Sequence, residues 1–179
     1  MNRLITYPRS GKHYLENLIL KYSSQEIDST HYAVFDNSFI ITIARDPFDS
    51  IQSHIAMKKH YSPETYLNDE YIEYYVLLYK FLNDNASIVI DYNDLISFPK
   101  ETTKKVCDLL GFEKKPLSYE TYGDTKDYKY LVSSKTVKEY KEEHFKKEDI
   151  LHCYDSYQNL LSKAIDVSKT STNKYFDIK

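Results

Sequence analysis

Tryptophan is absent from this chain of 179 residues, and cysteine occurs only twice. Cys107 and Cys153 are too few and too far apart in sequence for a metal cluster. Each falls in an amphipathic helical pattern, where a buried thiol is expected. Glycine occurs three times. Where a Walker A loop would need a glycine, five residues before Gly11, the chain has Thr6, and His13 after Lys12 offers no hydroxyl for magnesium. No apolar run reaches the length that spans a bilayer. The opening residues Met1-Asn2-Arg3-Leu4-Ile5-Thr6-Tyr7-Pro8 lack the apolar core of a secretory leader and enter a strand pattern at once, which argues for a cytoplasmic protein. Charge of one sign is also lacking. A net charge of −3 gives no whole-molecule field favouring nucleic acid, so any anion site must be local.

What is present suits a soluble α/β domain. Hydrophobic residues make up 41% and charged residues 28%, enough for one domain with a real core. Nineteen tyrosines are expected mostly as core or interface side chains with a wet hydroxyl. Arg3 to Tyr7, Phe39 to Ala44 and Ser87 to Asp91 read as short buried strands, and Glu26 to Phe35 as an irregular one. Helical patterns run from Lys12 to Tyr22, Asp49 to His60, Pro63 to Asn83, Pro99 to Leu110 (closed by Gly111), Lys135 to Lys147 and Glu148 to Ala164. In the last of these, Ile150, Tyr154, Tyr157 and Leu161 form the expected inner stripe. Gly123 to Leu131 reads as loop. Strands alternating with helices predict a single three-layer domain over residues 1–166, a parallel sheet flanked by helices, followed by a polar tail over 167–179.

Two segments carry chemistry. Tyr7-Pro8-Arg9-Ser10-Gly11-Lys12-His13-Tyr14 and Arg45-Asp46-Pro47-Phe48-Asp49-Ser50-Ile51-Gln52-Ser53 each follow an apolar run and lead into a helix. A strand, a basic turn and a helix hold an anion on exposed N–H groups at the helix N-terminus. In the first, two cations surround a glycine that lets backbone approach an anion closely. In the second, Arg45 offers a fork that matches phosphate oxygens, and Ser53, one turn past Asp49, adds a donor. The bland readings are a solvated basic turn, and Arg45 paired with Asp46 or Asp49. Two such loops suggest a ligand with two anionic ends.

These segments resemble the motifs of the sulfotransferases that use 3′-phosphoadenosine 5′-phosphosulfate (PAPS). Tyr7 to Leu15 looks like that family's 5′-phosphosulfate loop, and Arg45 to Ser53 like its 3′-phosphate motif. Ile88-Val-Ile-Asp91-Tyr92-Asn93-Asp94-Leu95, then Pro99 and Cys107-Asp-Leu-Leu-Gly111-Phe112, is similar to the strand, helix and closing Leu-Gly further along the family's chain. The resemblance implies a P-loop-like sulfotransferase fold and transfer of a sulfuryl group from PAPS, without a metal, to a hydroxyl or amine on a small-molecule or glycan acceptor. It implies that Arg9 contacts the sulfuryl group and that Ser10, Gly11, Lys12, His13 and Tyr14 line the 5′ end. Arg45 and Ser53 would hold the 3′-phosphate, and Tyr92 the adenine region.

His31 in Ser29-Thr30-His31 resembles the family's general base, a role suited to an imidazole that titrates near neutrality. His13 and Glu16 are the other candidates. The family's C-terminal phosphate clamp has no glycines or arginine here, and Lys135 stands in its place. The family shows hydroxyl residues at the positions of Lys12 and His13 and a tryptophan at that of Tyr14, departures that bear on the geometry of the loop. The choice of base and the altered clamp leave two alternatives open. One is a module that binds PAPS or its product PAP (adenosine 3′,5′-bisphosphate) without transfer. The other is a small P-loop nucleotide kinase, which Ile88-Val-Ile-Asp91 imitates.

Overall fold

Phe39-Ile-Ile-Thr-Ile-Ala44 has β-branched or apolar side chains at almost every position, which suits a strand covered on both faces. The computed structural model, which describes residues 1–61, 68–115 and 145–167, places it at the centre of the sheet. The strands are β1 (Asn2–Ile5), β2 (Asp28–Thr30), β3 (Phe39–Ala44) and β4 (Ala86–Asp91). They lie in the order β2-β1-β3-β4, and every pairing is parallel. The protein is therefore α/β, with a four-stranded parallel sheet between helices.

The helices are α1 (Lys12–Ser23), α2 (Pro47–Tyr61), α3 (Asn68–Asn85), α4 (Tyr92–Ser97), α5 (Pro99–Leu110) and α6 (Leu151–Leu161). A 3-10 turn over Lys147–Ile150 precedes α6. Side chains alternate across the sheet, so two cores form. On one face Leu4, Ile41, Ile43, Ile88 and Ile90 pack under Leu15, Leu18 and Ile19 of α1, Leu95 of α4 and Val106 and Cys107 of α5. On the other, Ile5, Ile40, Ala44 and Val89 pack against Ile51 and Ile55 of α2, Tyr75, Tyr79 and Leu82 of α3 and Cys153, Tyr157 and Leu160 of α6.

Several expectations shift. The first strand leaves the ladder at Ile5, two residues early, because Pro8 forces a turn just beyond it. Of Glu26 to Phe35 only Asp28–Thr30 joins the sheet. Pro47 rather than Asp49 opens α2, as suits a residue whose missing N–H would be unpaired there anyway. Helix α4 was not expected; Asp91 starts it by accepting from the Asn93 N–H at 2.8 Å. The buried stripe of the last helix is Ile150, Cys153, Tyr157 and Leu160, with Tyr154 and Leu161 only half-buried. The helix is turned so that Tyr154 reaches Asp46, its hydroxyl 3.3 Å from Oδ1. Val167, placed in the tail from sequence, is buried. Cys107 and Cys153 are free buried thiols, both pushed up to about 11 by burial. The loop over Gly123 to Leu131, nearly all of the helix over Lys135 to Lys147, and residues 168–179 lie outside the described residues, as does the first part of the Pro63 to Asn83 helix.

Candidate functional site: a basic crevice between β1 and β3

β1 and β3 are neighbours, yet the helices that follow them pack on opposite faces of the sheet. The two connecting loops therefore leave the carboxyl ends of the strands toward opposite faces of the sheet, at the topological switch point where doubly wound sheets receive ligands.

The first loop leaves β1 through a tight turn in which the Ser10 N–H donates to the Tyr7 carbonyl at 3.2 Å. Pro8 occupies its second position and Arg9, at φ 68°, its third. That is the arrangement of a type II turn, whose third position favours glycine. Holding an arginine in the left-handed region costs about 1–2 kcal/mol. Gly11, at φ 88°, then starts α1 with no side-chain cap and no acidic residue in the first turn. The positive end of α1 thus keeps its first N–H groups without a side-chain acceptor at the N-cap.

The second loop is held by tyrosines. The Arg45 N–H donates to the Tyr79 hydroxyl at 3.0 Å, and the Arg45 carbonyl accepts from Tyr75 at 3.0 Å and Tyr79 at 3.1 Å. The two rings stack with centroids 3.9 Å apart. Asp46 accepts from the Asp49 N–H at 3.2 Å and caps α2. Arg45 forms no ion pair with Asp46 or Asp49. Its Nη1 instead donates to the Arg9 carbonyl, and its guanidinium lies 4.4 Å from the centroid of the Tyr92 ring. Its Nε is buried and has no acceptor, as is the Ser10 hydroxyl.

Four of the residues singled out in the sequence thereby meet. Arg9 Nε donates to Ser53 Oγ at 3.1 Å, Arg45 ties to the Arg9 backbone, and Tyr92 touches both loops. A β-carbon at Gly11 would sit 3.3 Å from the Tyr92 ring, so the ring would have to give by a few tenths of an ångström, on top of the strain of the left-handed backbone. Ser53 is only 5% exposed, not the solvated helix residue of the bland reading. Tyr14 is half-buried and packs against the α1–α5 core. Lys135 lies outside the described residues.

His31 borders the crevice behind β1. Its Nδ1 is 2.8 Å from the Thr6 carbonyl, which can only accept, so Nδ1 carries the proton and Nε2 is the basic nitrogen. Burial, more than the nearby Lys12 and His13, lowers its pKa from the usual value. His13 lies 2.7 Å from Glu16 on the exposed side of α1. Sequence reasoning passed over His54. Its Nδ1 is 3.1 Å from the Tyr7 hydroxyl, whose own proton goes to the Tyr71 carbonyl, and burial pulls it down to about 3. The tyrosine contacts to Arg45 were missed as well. The helical spacing of α3 marks its tyrosines as core, but nothing in the spacing shows which backbone their hydroxyls meet.

No protein-family model matches the chain, and no curated protein matches it. Fold and site together define a parallel α/β protein in which two arginine-bearing loops meet where the strand order reverses.

Proposed function

We propose that this protein is a sulfotransferase that uses PAPS. The observation that carries the reading is Arg45, which lies over Tyr92 and is tied to Arg9, bringing the two motif-bearing loops onto one crevice. The residues fit a ligand with anionic ends. Arg45 Nε and Ser10 Oγ are buried polar groups without partners, and each such group costs about 1–3 kcal/mol until an acceptor is supplied. Phosphate and sulfate oxygens are acceptors of that kind. Ser10, Gly11, Lys12 and His13 would hold the phosphosulfate end, Arg45 and Ser53 the 3′-phosphate, and Tyr92 the adenine region.

Bound PAPS supplies an activated sulfuryl group; the chain's own residues do the rest. His31, neutral and basic at Nε2, takes the proton of an acceptor hydroxyl or amine. Lys12 and the N–H groups at the start of α1 stabilise negative charge at the transfer end. The kinase alternative is less well supported. Asp91 ends β4, which β3 separates from β1, about 9.5 Å across two strand spacings, and its carboxylate caps α4.

Calorimetry with PAP and 5′-AMP, and transfer of labelled sulfate from PAPS to sugars, phenols, lipids and peptides, test the reading. PAP should bind at least about tenfold more tightly than 5′-AMP, and Arg45→Ala should remove that preference, the scale of one charge-assisted contact. Binding without transfer to any acceptor would favour the module reading. Failure of the wild-type protein to bind PAP would sink both.

A further inference from the structure

The β3 ladder ends at Ala44 and α2 opens at Pro47. Arg45 lies between them, where its N–H and carbonyl need partners from elsewhere in the fold. Helix α3 supplies both: the Tyr79 hydroxyl accepts from the N–H at 3.0 Å, and Tyr79 and Tyr75 donate to the carbonyl at 3.1 Å and 3.0 Å. The same helix reaches the other two segments of the site. The Tyr74 hydroxyl donates to the His31 carbonyl, and the Tyr71 carbonyl accepts from the Tyr7 hydroxyl at 3.1 Å. Burial pushes Tyr74 and Tyr79 up to about 12, so both hydroxyls keep a proton to donate at neutral pH. The hydroxyls of Tyr74, Tyr75 and Tyr79 meet backbone, so they set where a functional side chain starts.

We infer that α3 is the positioning element of the site: Tyr79, with Tyr75, aims Arg45 at the 3′-phosphate, and Tyr74 separately holds His31 for proton transfer. This rests on the sulfotransferase reading. The Arg45 Nε is buried with no acceptor, and the guanidinium lies 4.4 Å from the centroid of the Tyr92 ring. A hydrogen bond from that side chain weakens steeply with distance and angle, so a small swing of the Arg45 backbone draws it off an anion. For the base, whose Nδ1 donates to the Thr6 carbonyl at 2.8 Å, a displacement of about 1 Å can slow transfer by about a hundredfold. The hydroxyls act on different segments, so removing them one at a time should give separable losses. General loosening of α3 would not.

The test compares wild type with Tyr74→Phe, Tyr75→Phe and Tyr79→Phe, each of which keeps the ring and removes one hydroxyl. Melting curves establish which variants are folded. In calorimetry Tyr79→Phe should bind PAP about three- to tenfold more weakly, with 5′-AMP affinity within about twofold of wild type. Tyr75→Phe, which leaves the other donor in place, should show the same selective loss at about two- to fivefold, and it carries this arm if Tyr79→Phe does not fold. With an acceptor from the transfer screen, kcat of Tyr79→Phe at saturating PAPS should stay within about threefold of wild type. Tyr74→Phe should do the reverse, with kcat down about tenfold or more and PAP affinity within about twofold. The inference is overturned if 5′-AMP weakens as much as PAP in Tyr79→Phe or Tyr75→Phe. It is overturned equally if Tyr74→Phe and Tyr79→Phe lose kcat and PAP affinity alike, or if the folded variants match wild type in both. A wild-type protein that does not distinguish PAP from 5′-AMP overturns the sulfotransferase reading itself, and this inference with it.

Discussion

Gly11 and Gly111 offer a matched pair of substitutions that isolates the packing of Tyr92 on the first loop. Both are left-handed, at φ 88° and φ 66°. An alanine at either pays the steric cost of that region, about 1–2 kcal/mol, offset by about 0.4–1 kcal/mol from the lower entropy of the unfolded chain. Gly111→Ala meets nothing within 4 Å, so its net effect is this backbone difference, roughly 0.5–1 kcal/mol. Gly11→Ala adds a β-carbon 3.3 Å from the Tyr92 ring and 3.4 Å from Leu95. The half-buried ring must shift, and the Arg45 guanidinium 4.4 Å above it loses part of a contact worth about 0.5–1 kcal/mol. Gly11→Ala should therefore cost about 0.5–1 kcal/mol more than Gly111→Ala, a further drop in Tm of about 1–4 °C for a chain of this size. Circular dichroism melts read the difference, and PAP calorimetry reads its consequence, a loss confined to the Gly11 variant. Equal Tm changes with equal PAP affinity would refute the placement of Tyr92 against the loop.

Tyr79→Phe removes the acceptor of the Arg45 N–H and one donor to its carbonyl, whereas Tyr75→Phe removes one donor and leaves the other. In urea titrations Tyr79→Phe should cost about 1–3 kcal/mol and Tyr75→Phe about 0.5–1.5 kcal/mol; the reverse order would contradict the clamp. His54, held neutral at about 3 by burial, binds fewer protons in the folded than in the unfolded chain between that value and about 6.5. Stability should then fall as pH drops through this window, by up to about 1.4 kcal/mol per unit, and His54→Asn should flatten the slope. A slope unchanged by that substitution would remove His54 as its source. His31 is also lowered by burial, so an acidic limb in the pH–rate profile should lie below pH 6.5 and vanish in His31→Ala, with the rate down about 10²–10⁴. Full activity in His31→Ala, with turnover lost in His13→Ala or Glu16→Ala, would move the base to α1.

The alternation of strands and helices, the position of β3 and the two basic loops could be read directly, because each rests on local chemistry: apolar β-branched runs, a proline or glycine at a turn, a helical stripe. Boundaries were harder where the deciding partner is distant. Pro8 ends β1 early, and the reach of Tyr154 to Asp46 turns the last helix by one residue. Composition and motif order determined the α/β class and the buried thiols, and marked out the candidate anion-binding residues. Tertiary structure alone decided that Arg45 pairs with the Arg9 backbone and not with Asp46 or Asp49, that Arg9 lies on Ser53, and that His31 is protonated at Nδ1. Spacing along a strand or helix specifies which face a side chain takes. Which hydroxyl, carbonyl or ring it meets depends on strand order and on the sides to which α1 and α2 cross, and those follow from burial summed over the whole sheet.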